Sequence, residues 1–189
     1  MKIECDYSLL EHNTFGIDAK CRRFVEYESV EEAQEAVRSL KEEDHPLLIL
    51  GGGSNLLLTE DYKGTVLHSG ISFIEDVGGG RVRCGSGYVW DDFVAYCVSH
   101  GLYGAENLSI IPGECGASAV QNIGAYGAEA KGLIEEVEAV EIATGRVRHF
   151  KNTDCGYSYR QSRFKHEWRN KYLITSVTYR LSSTYRPRL

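Results

Sequence analysis

The stretch from Ser109 to Glu129, S-I-I-P-G-E-C-G-A-S-A-V-Q-N-I-G-A-Y-G-A-E, constrains this chain more than any other. It holds Gly113, Gly116, Gly124 and Gly127, with Gly104 just before. Each glycine loses extra backbone entropy on ordering, so the composition weakens helix and strand alike. The run is expected to be neither a good helix nor an ordinary strand. Small residues instead let backbone N–H and C=O groups approach something flat and large. Few charges and the amides Gln121 and Asn122 suit a mostly apolar ligand with a polar edge. The alternative left open by composition is a long surface loop with turns.

A second bare-backbone stretch lies sixty residues earlier. Leu47-Leu48-Ile49-Leu50 is a short apolar run suited to a strand buried on both faces. It feeds directly into Gly51-Gly52-Gly53-Ser54-Asn55 and then Leu56-Leu57-Leu58. Consecutive glycines after a buried strand offer several amides in a tight turn, an anion nest for a phosphate or diphosphate. The pattern is not G-x-G-x-x-G with a following amphipathic helix, and no Gly-Lys-Ser/Thr closes it, so neither a Rossmann unit nor a P-loop is read. A plain strand-to-strand turn is the competing reading. Gly78-Gly79-Gly80 is read differently, as a hairpin turn, because strand-like Ile74 to Val77 and Arg81 to Cys84 flank it.

The remaining elements follow from local signals. Arg23 to Tyr27 alternates as a strand. Ser29 and Glu32 form a capping box ahead of a helix whose Val30, Ala33, Val37 and Leu40 share a face, stopped by His45-Pro46. Thr65 to His68 reads as a strand. Trp90, Phe93, Val94, Cys97 and Val98 share a helical face ended by Gly101. Val137 to Phe150 turns at Thr144-Gly145 as a hairpin, and Leu173 to Leu181 alternates as a half-buried strand. Two strong helices among strands and hairpins predict an α+β fold of two lobes, 1–70 and 71–189. The glycine-rich loops then fall on different lobes, where a cofactor between lobes touches both.

Composition sets the class of protein. With 189 residues, 42% hydrophobic and 25% charged, the chain reads as an ordinary soluble domain or two small lobes. A net charge of −6 without a basic cluster argues against a nucleic-acid surface. No signal peptide or membrane span is read, and Cys5, Cys21, Cys84, Cys97, Cys115 and Cys155 are scattered, so reduced thiols in a cytoplasmic chain are expected. Neither cysteines nor histidines show metal-ligand spacing, so no metal is expected. Ser182 to Leu189 has a linker composition.

A third dense stretch, C-G-Y-S-Y-R-Q-S-R-F-K from Cys155 to Lys165, offers chemistry. If extended, it projects Tyr157, Tyr159, Gln161 and Arg163 one way and Ser158, Arg160 and Ser162 the other. An arginine beside tyrosine and serines can clamp a carboxylate through its two-pronged fork. A surface arginine stacked on a tyrosine is the alternative.

Taken in order, Gly51 to Leu58, Ile111 to Gly127 and Cys155 to Lys165, with N-T-F-G at Asn13 to Gly16, resemble the UDP-N-acetylenolpyruvoylglucosamine reductase family of flavoenzymes. The likeness runs from about Asn13 to Leu181. It implies a two-lobed FAD-binding fold of the vanillyl-alcohol-oxidase (PCMH) type. In that family NADPH reduces the flavin, which passes hydride to an enolpyruvyl UDP-sugar on the way to UDP-N-acetylmuramate for peptidoglycan. By position, the resemblance implies that Gly51, Gly52, Gly53, Ser54, Asn55 and Leu56 hold the FAD diphosphate. Pro112, Gly113, Gly116, Ala117, Asn122, Gly124, Ala125, Tyr126 and Gly127 would line the flavin. Arg160 would grip the substrate carboxylate and stabilise the enolate, with Tyr159 beside the substrate.

The family also has a third domain, carrying a proton-donating serine and a glutamate, and no residue of this chain matches either. The chain is therefore expected to be the cofactor-binding portion of a longer enzyme, inactive or weakly active alone. A stand-alone, non-catalytic flavin-binding module is the alternative. A more distant one is an oxidase with covalently bound FAD, for which Cys115 is the residue in the right stretch.

Overall fold

A computed structural model describes residues 1–186; Pro187 to Leu189, part of the predicted linker, lie outside the described residues. Two sheets carry the chain. The first takes β1 (Lys2–Ser8), β2 (Lys20–Tyr27), β3 (Leu47–Leu50) and β4 (Tyr62–Ser69) in the order β1-β2-β4-β3. Here β2 and β3 run parallel to β4, and β1 is antiparallel to β2. The second takes β5 (Ile74–Gly78), β6 (Arg81–Gly85), β9 (Ile134–Glu141), β10 (Val147–Lys151) and β11 (Tyr172–Arg180) in the order β10-β9-β11-β6-β5, antiparallel throughout. A two-residue pair, β7 (Gly124–Ala125) and β8 (Ala128–Glu129), stands apart.

Helix α1 (Val30–Arg38) joins the sheets. The Ser29 hydroxyl accepts from Glu32 N at 3.1 Å and Glu32 accepts from Glu28 N at 2.9 Å, so the predicted box forms one residue further out. Ala33, Ala36 and Val37 pack against Val25 and Leu67 of the first sheet and Val140 and Leu173 of the second. Each fully buried valine or leucine contributes about 1.5–3 kcal/mol, so this one face fixes how the sheets sit. The helix ends at Arg38, well before His45-Pro46, because Ser39 N already closes the last turn onto Glu35 and Ala36.

Four further expectations are corrected. β3 is an edge strand, with Leu48 and Ile49 only half-buried, so its apolar run serves the cleft beside it rather than a sheet interior. Val98 is 43% exposed on α2 (Trp90–Ser99), since the buried stripe is Trp90, Phe93, Val94 and Cys97. β11 is buried on both faces, because it is the central strand between α1 and the second core. The glycine-rich stretch contains a helix, α3 (Cys115–Gln121). Tertiary packing supplies what propensity lacks: Tyr179 Oη reaches Cys115 O at 3.1 Å and Ser118 Oγ at 2.8 Å from beneath. A Cβ at Gly116 would lie 2.8 Å from the Ser86 Cβ, so only a glycine helix fits against that wall.

Candidate functional site: a cleft between the two glycine-rich segments

The turn after β3 is built by its neighbours. Gly53 has φ +65°, and a Cβ there would lie 2.0 Å from His12 O. The loop it presses on is held by Asn13, whose buried amide donates to Leu9 O and Ile17 O and accepts from Ile17 N. That is the role of the N-T-F-G turn: it is the floor of the glycine turn. Among the described residues, the amides of Gly52, Gly53, Ser54 and Asn55 donate to no backbone or side-chain acceptor. Amides left without acceptors in one tight turn suit an anion.

Across from this turn stands α3. Ser54 Oγ donates to Pro112 O at 3.2 Å, and Asn55 Nδ2 donates to Gln121 Oε1 at 3.2 Å. A Cβ on Gly52 would meet Gly113 Cα at 3.6 Å. The first two amides of α3 are not free: Cys115 N bonds Tyr88 O and Gly116 N bonds Ser86 O, each at 2.9 Å. The run of unbonded donors for an anion is the Gly52 to Asn55 turn, and α3 supplies a small-residue wall.

Two cavities meet at that wall. The larger, about 520 Å³, runs along Leu47 to Gly51, Gly116, Ala117 and Val120 to Lys165, Trp168 and Arg169. The smaller, about 160 Å³, lies among Ser54, Asn55, Pro112, Gly113, Ser118 and Arg160. Glu114, Ala117 and Gln121 border both. The larger volume falls in the range of small-molecule and cofactor sites.

Arg160 reaches the smaller cavity from a turn rather than an extended segment. Ser158 and Gln161 exchange backbone bonds at 3.2 and 3.0 Å, and Arg160 sits in the left-handed region at φ 55°. A non-glycine residue there is strained by about 1–3 kcal/mol and must be held. Lys165 Nζ bonds Arg160 O at 2.9 Å, Asn122 Nδ2 bonds Ser158 O at 2.8 Å, and Ser162 Oγ bonds Val120 O at 2.6 Å. The predicted alternation therefore does not apply, since the turn breaks the two-residue period. Its guanidinium forms no ion pair or hydrogen bond among the described residues. It is a half-buried cation with its charge unspent.

The structure thus brings Gly51, Ser54, Asn55, Pro112, Gly113, Gly116, Ala117 and Arg160 onto the two cavities, with Gly52 beside Gly113 and Gly53 on the His12 loop. Other predicted residues stand off them. Asn122 is buried, in the left-handed region, and serves as a brace to Glu129, Lys131 and Ser158. Gly124, Ala125, Tyr126 and Gly127 form the β7–β8 turn, with Tyr126 85% exposed. Tyr159 is 79% exposed, and Leu56 packs towards the first sheet's core. Cys115, the first residue of α3, is fully buried in the second core and borders neither cavity, so its thiol does not meet a ligand in the cleft.

Sequence reasoning missed a charged cluster behind the wall. His68 Nδ1 lies 2.8 Å from Glu26 Oε2 and its Nε2 3.4 Å from Glu114 Oε1, with His68 only 9% exposed. Burial opposes the charged imidazole, but Glu114 and then Glu26 outweigh it, and the His68 pKa is raised. His12, 4.8 Å away ring to ring, is lowered by burial and then by His68. One signal could have found Glu114: it is the only charged residue between Glu106 and Glu129.

UDP-N-acetylenolpyruvoylglucosamine reductase of Bacteroides fragilis (strain YCH46) is 53% identical over 184 residues, covering 95% of this chain and 55% of the relative. The chain spans about half the length of the curated relatives it matches. Among solved structures, UDP-N-acetylenolpyruvylglucosamine reductase from Thermus caldophilus matches with TM-score 0.77 and 26% identity, over 100% of this chain and 64% of that one. p-Cresol methylhydroxylase matches with TM-score 0.60 and 16% identity, over 95% of this chain and 38% of that one, which shows the fold alone. The fold is the predicted α+β, two-lobed FAD-binding fold of the PCMH type. The family model described as FAD binding domain matches residues 21–151, more than half of the chain, and it is to this family that the chain belongs.

Proposed function

We propose that this chain is the FAD-binding part of a reductase that uses NADPH to convert UDP-N-acetylglucosamine enolpyruvate to UDP-N-acetylmuramate. The observation that carries the reading is the meeting of the two glycine-rich segments across one cleft, Ser54 Oγ on Pro112 O at 3.2 Å. The residues present fit FAD: unbonded amides for a diphosphate, a small-residue wall for a flat ring system, and cavities on both sides of the wall. Of Gly51 to Leu56, Gly51 to Asn55 hold the diphosphate, with donors from Gly52 to Asn55, and Leu56 anchors the turn on the first sheet's core. Pro112, Gly113, Gly116 and Ala117 face the cofactor, and Asn122 with Gly124 to Gly127 supports that wall. When bound, the flavin supplies a two-electron carrier between nicotinamide and substrate.

Arg160 is the residue for the substrate. Its free guanidinium at the smaller cavity suits the enolpyruvyl carboxylate and the negative charge that develops on reduction. Tyr159, beside it on the turn, borders the substrate. The lobes divide near residue 70, between the last strand of the first sheet and the first strand of the second. A UDP-sugar and NADPH are the partners, without nucleic acid or membrane, and the cytoplasm is the compartment. No described helix is long and apolar enough to cross a membrane.

The test is the visible absorption of the purified chain after incubation with FAD and desalting, followed by addition of NADPH and the enolpyruvyl UDP-sugar. Retained flavin bands that bleach with NADPH support the reading. Absence of flavin bands overturns it.

A further inference from the structure

We infer that Glu114 is a positioning residue that governs the pH dependence of FAD binding, its carboxylate held against the glycine turn and balanced by His68. This rests on the reading of the cleft as the FAD site. The geometry is unusual for an anion site. A Cβ on Gly51 would lie 3.3 Å from Glu114 Oε2, and one on Gly52 would lie 3.9 Å from Glu114 Oε1. A carboxylate therefore stands beside the turn whose amides are free for a diphosphate, and it borders both cavities. Two anions this close repel unless a cation sits with them.

His68 is that cation when protonated, at 3.4 Å from Glu114 Oε1. The charges around it are few and come from three elements: Glu26 on β2, Glu114 on the loop before α3, and His12 on the turn after β1, itself near Lys2 and Glu11. His12 is shifted down and stays neutral above its lowered pKa, so it does not replace His68 as the counter-charge. Two carboxylates hold the protonated form of His68 above the ordinary range. As pH rises through that range the imidazolium is lost, and Glu114 faces the diphosphate uncompensated. Linkage then requires FAD affinity to fall with rising pH, and bound FAD to favour protonated His68 in return.

The experiment is a titration of FAD into the chain, read by flavin fluorescence, from about pH 6 to about pH 9, a range in which the diphosphate keeps its charge. The wild-type Kd is expected to rise about five- to tenfold across it. E114Q should give a shallower profile, at least as tight as the wild type at the alkaline end, since Glu26 still holds a share of the His68 proton. H68N should be flat and weak, like the wild type at the alkaline end. If H68N does not fold, E114Q decides alone, because its side chain lies at the cleft rather than in a core. FAD binding with no pH dependence, or an E114Q profile that reproduces the wild-type slope, overturns the inference and leaves the FAD site standing. No FAD binding at any pH overturns both.

Discussion

Gly52 gives the sharpest separation between a residue that shapes the fold and one that leaves room for a ligand. A Cβ added there meets Gly113 Cα at 3.6 Å, ordinary contact, and Gly52 is not among the glycines with positive φ. Gly52→Ala should therefore change stability by less than about 1 kcal/mol, a shift of about 2–4 °C in Tm for a chain this size. The bulkier Gly52→Val drives its branches into Gly113, which a Cβ already touches, and pushes the turn off the wall. A diphosphate bound on the displaced turn loses at least two charged amide hydrogen bonds, each worth about 1.5–3 kcal/mol. That is about 3–6 kcal/mol, so the FAD Kd should rise at least about a hundredfold. Gly53→Ala is the contrasting variant. Its Cβ would lie 2.0 Å from His12 O at φ +65°, so it should lower Tm strongly whether or not FAD is present. The assay is thermal unfolding paired with FAD titration. A folded Gly52→Val chain that binds FAD as the wild type does would refute the placement of the diphosphate.

Other predictions follow from single contacts. Asn122→Ala should destabilise the chain by about 1–3 kcal/mol in urea unfolding, because it strands Lys131 N and takes one donor each from Ser158 O and Glu129, which keep Gln161 N and Lys131 Nζ. Arg160→Lys should keep FAD but weaken binding of an enolpyruvyl carboxylate at least about tenfold by calorimetry, since a point charge loses the fork; unchanged affinity would count against the assignment. Asp44 pairs with Arg23 at 2.7 Å. Burial alone would raise its pKa, but the Lys41 amide and Arg23 outweigh burial and lower it. Its contribution is thus fully present above the unfolded value of about 4 and lost as pH falls through the lower folded value. D44N should be less stable at neutral pH and show a shallower acid loss. Burial raises the thiols of Cys21 and Cys155 to about 11 and of Cys97 to about 12. A thiol reagent at neutral pH should therefore label the exposed Cys5 first, and all six only in denaturant.

The sequence made some of this legible for clear physical reasons. The α1 cap, the β5–β6 and β9–β10 turns and the strand feeding Gly51 are local signals, each contained in a few residues. What was hidden is non-local. Nothing within Cys115 to Gln121 says that Tyr179 and Ser86 will hold a helix there. Arg160 was found as a residue but not as a geometry, because its turn is tied by Asn122, Lys165 and Ser162 rather than by strand alternation. β1 (Lys2–Ser8) went unread: it is an exposed edge strand with no buried face to impose a pattern. The Glu26–His68–Glu114 cluster joins three elements across separations of 42 and 46 residues, which no periodicity reports.

The central claim is that the two glycine-rich segments grip one dinucleotide together. Amide hydrogen exchange of the chain, mapped peptide by peptide during an FAD titration, tests it most directly. Exchange should slow in Gly51 to Asn55 and in Pro112 to Gln121 at the same FAD concentration. Protection of one segment without the other, or of neither while FAD is bound, would contradict it.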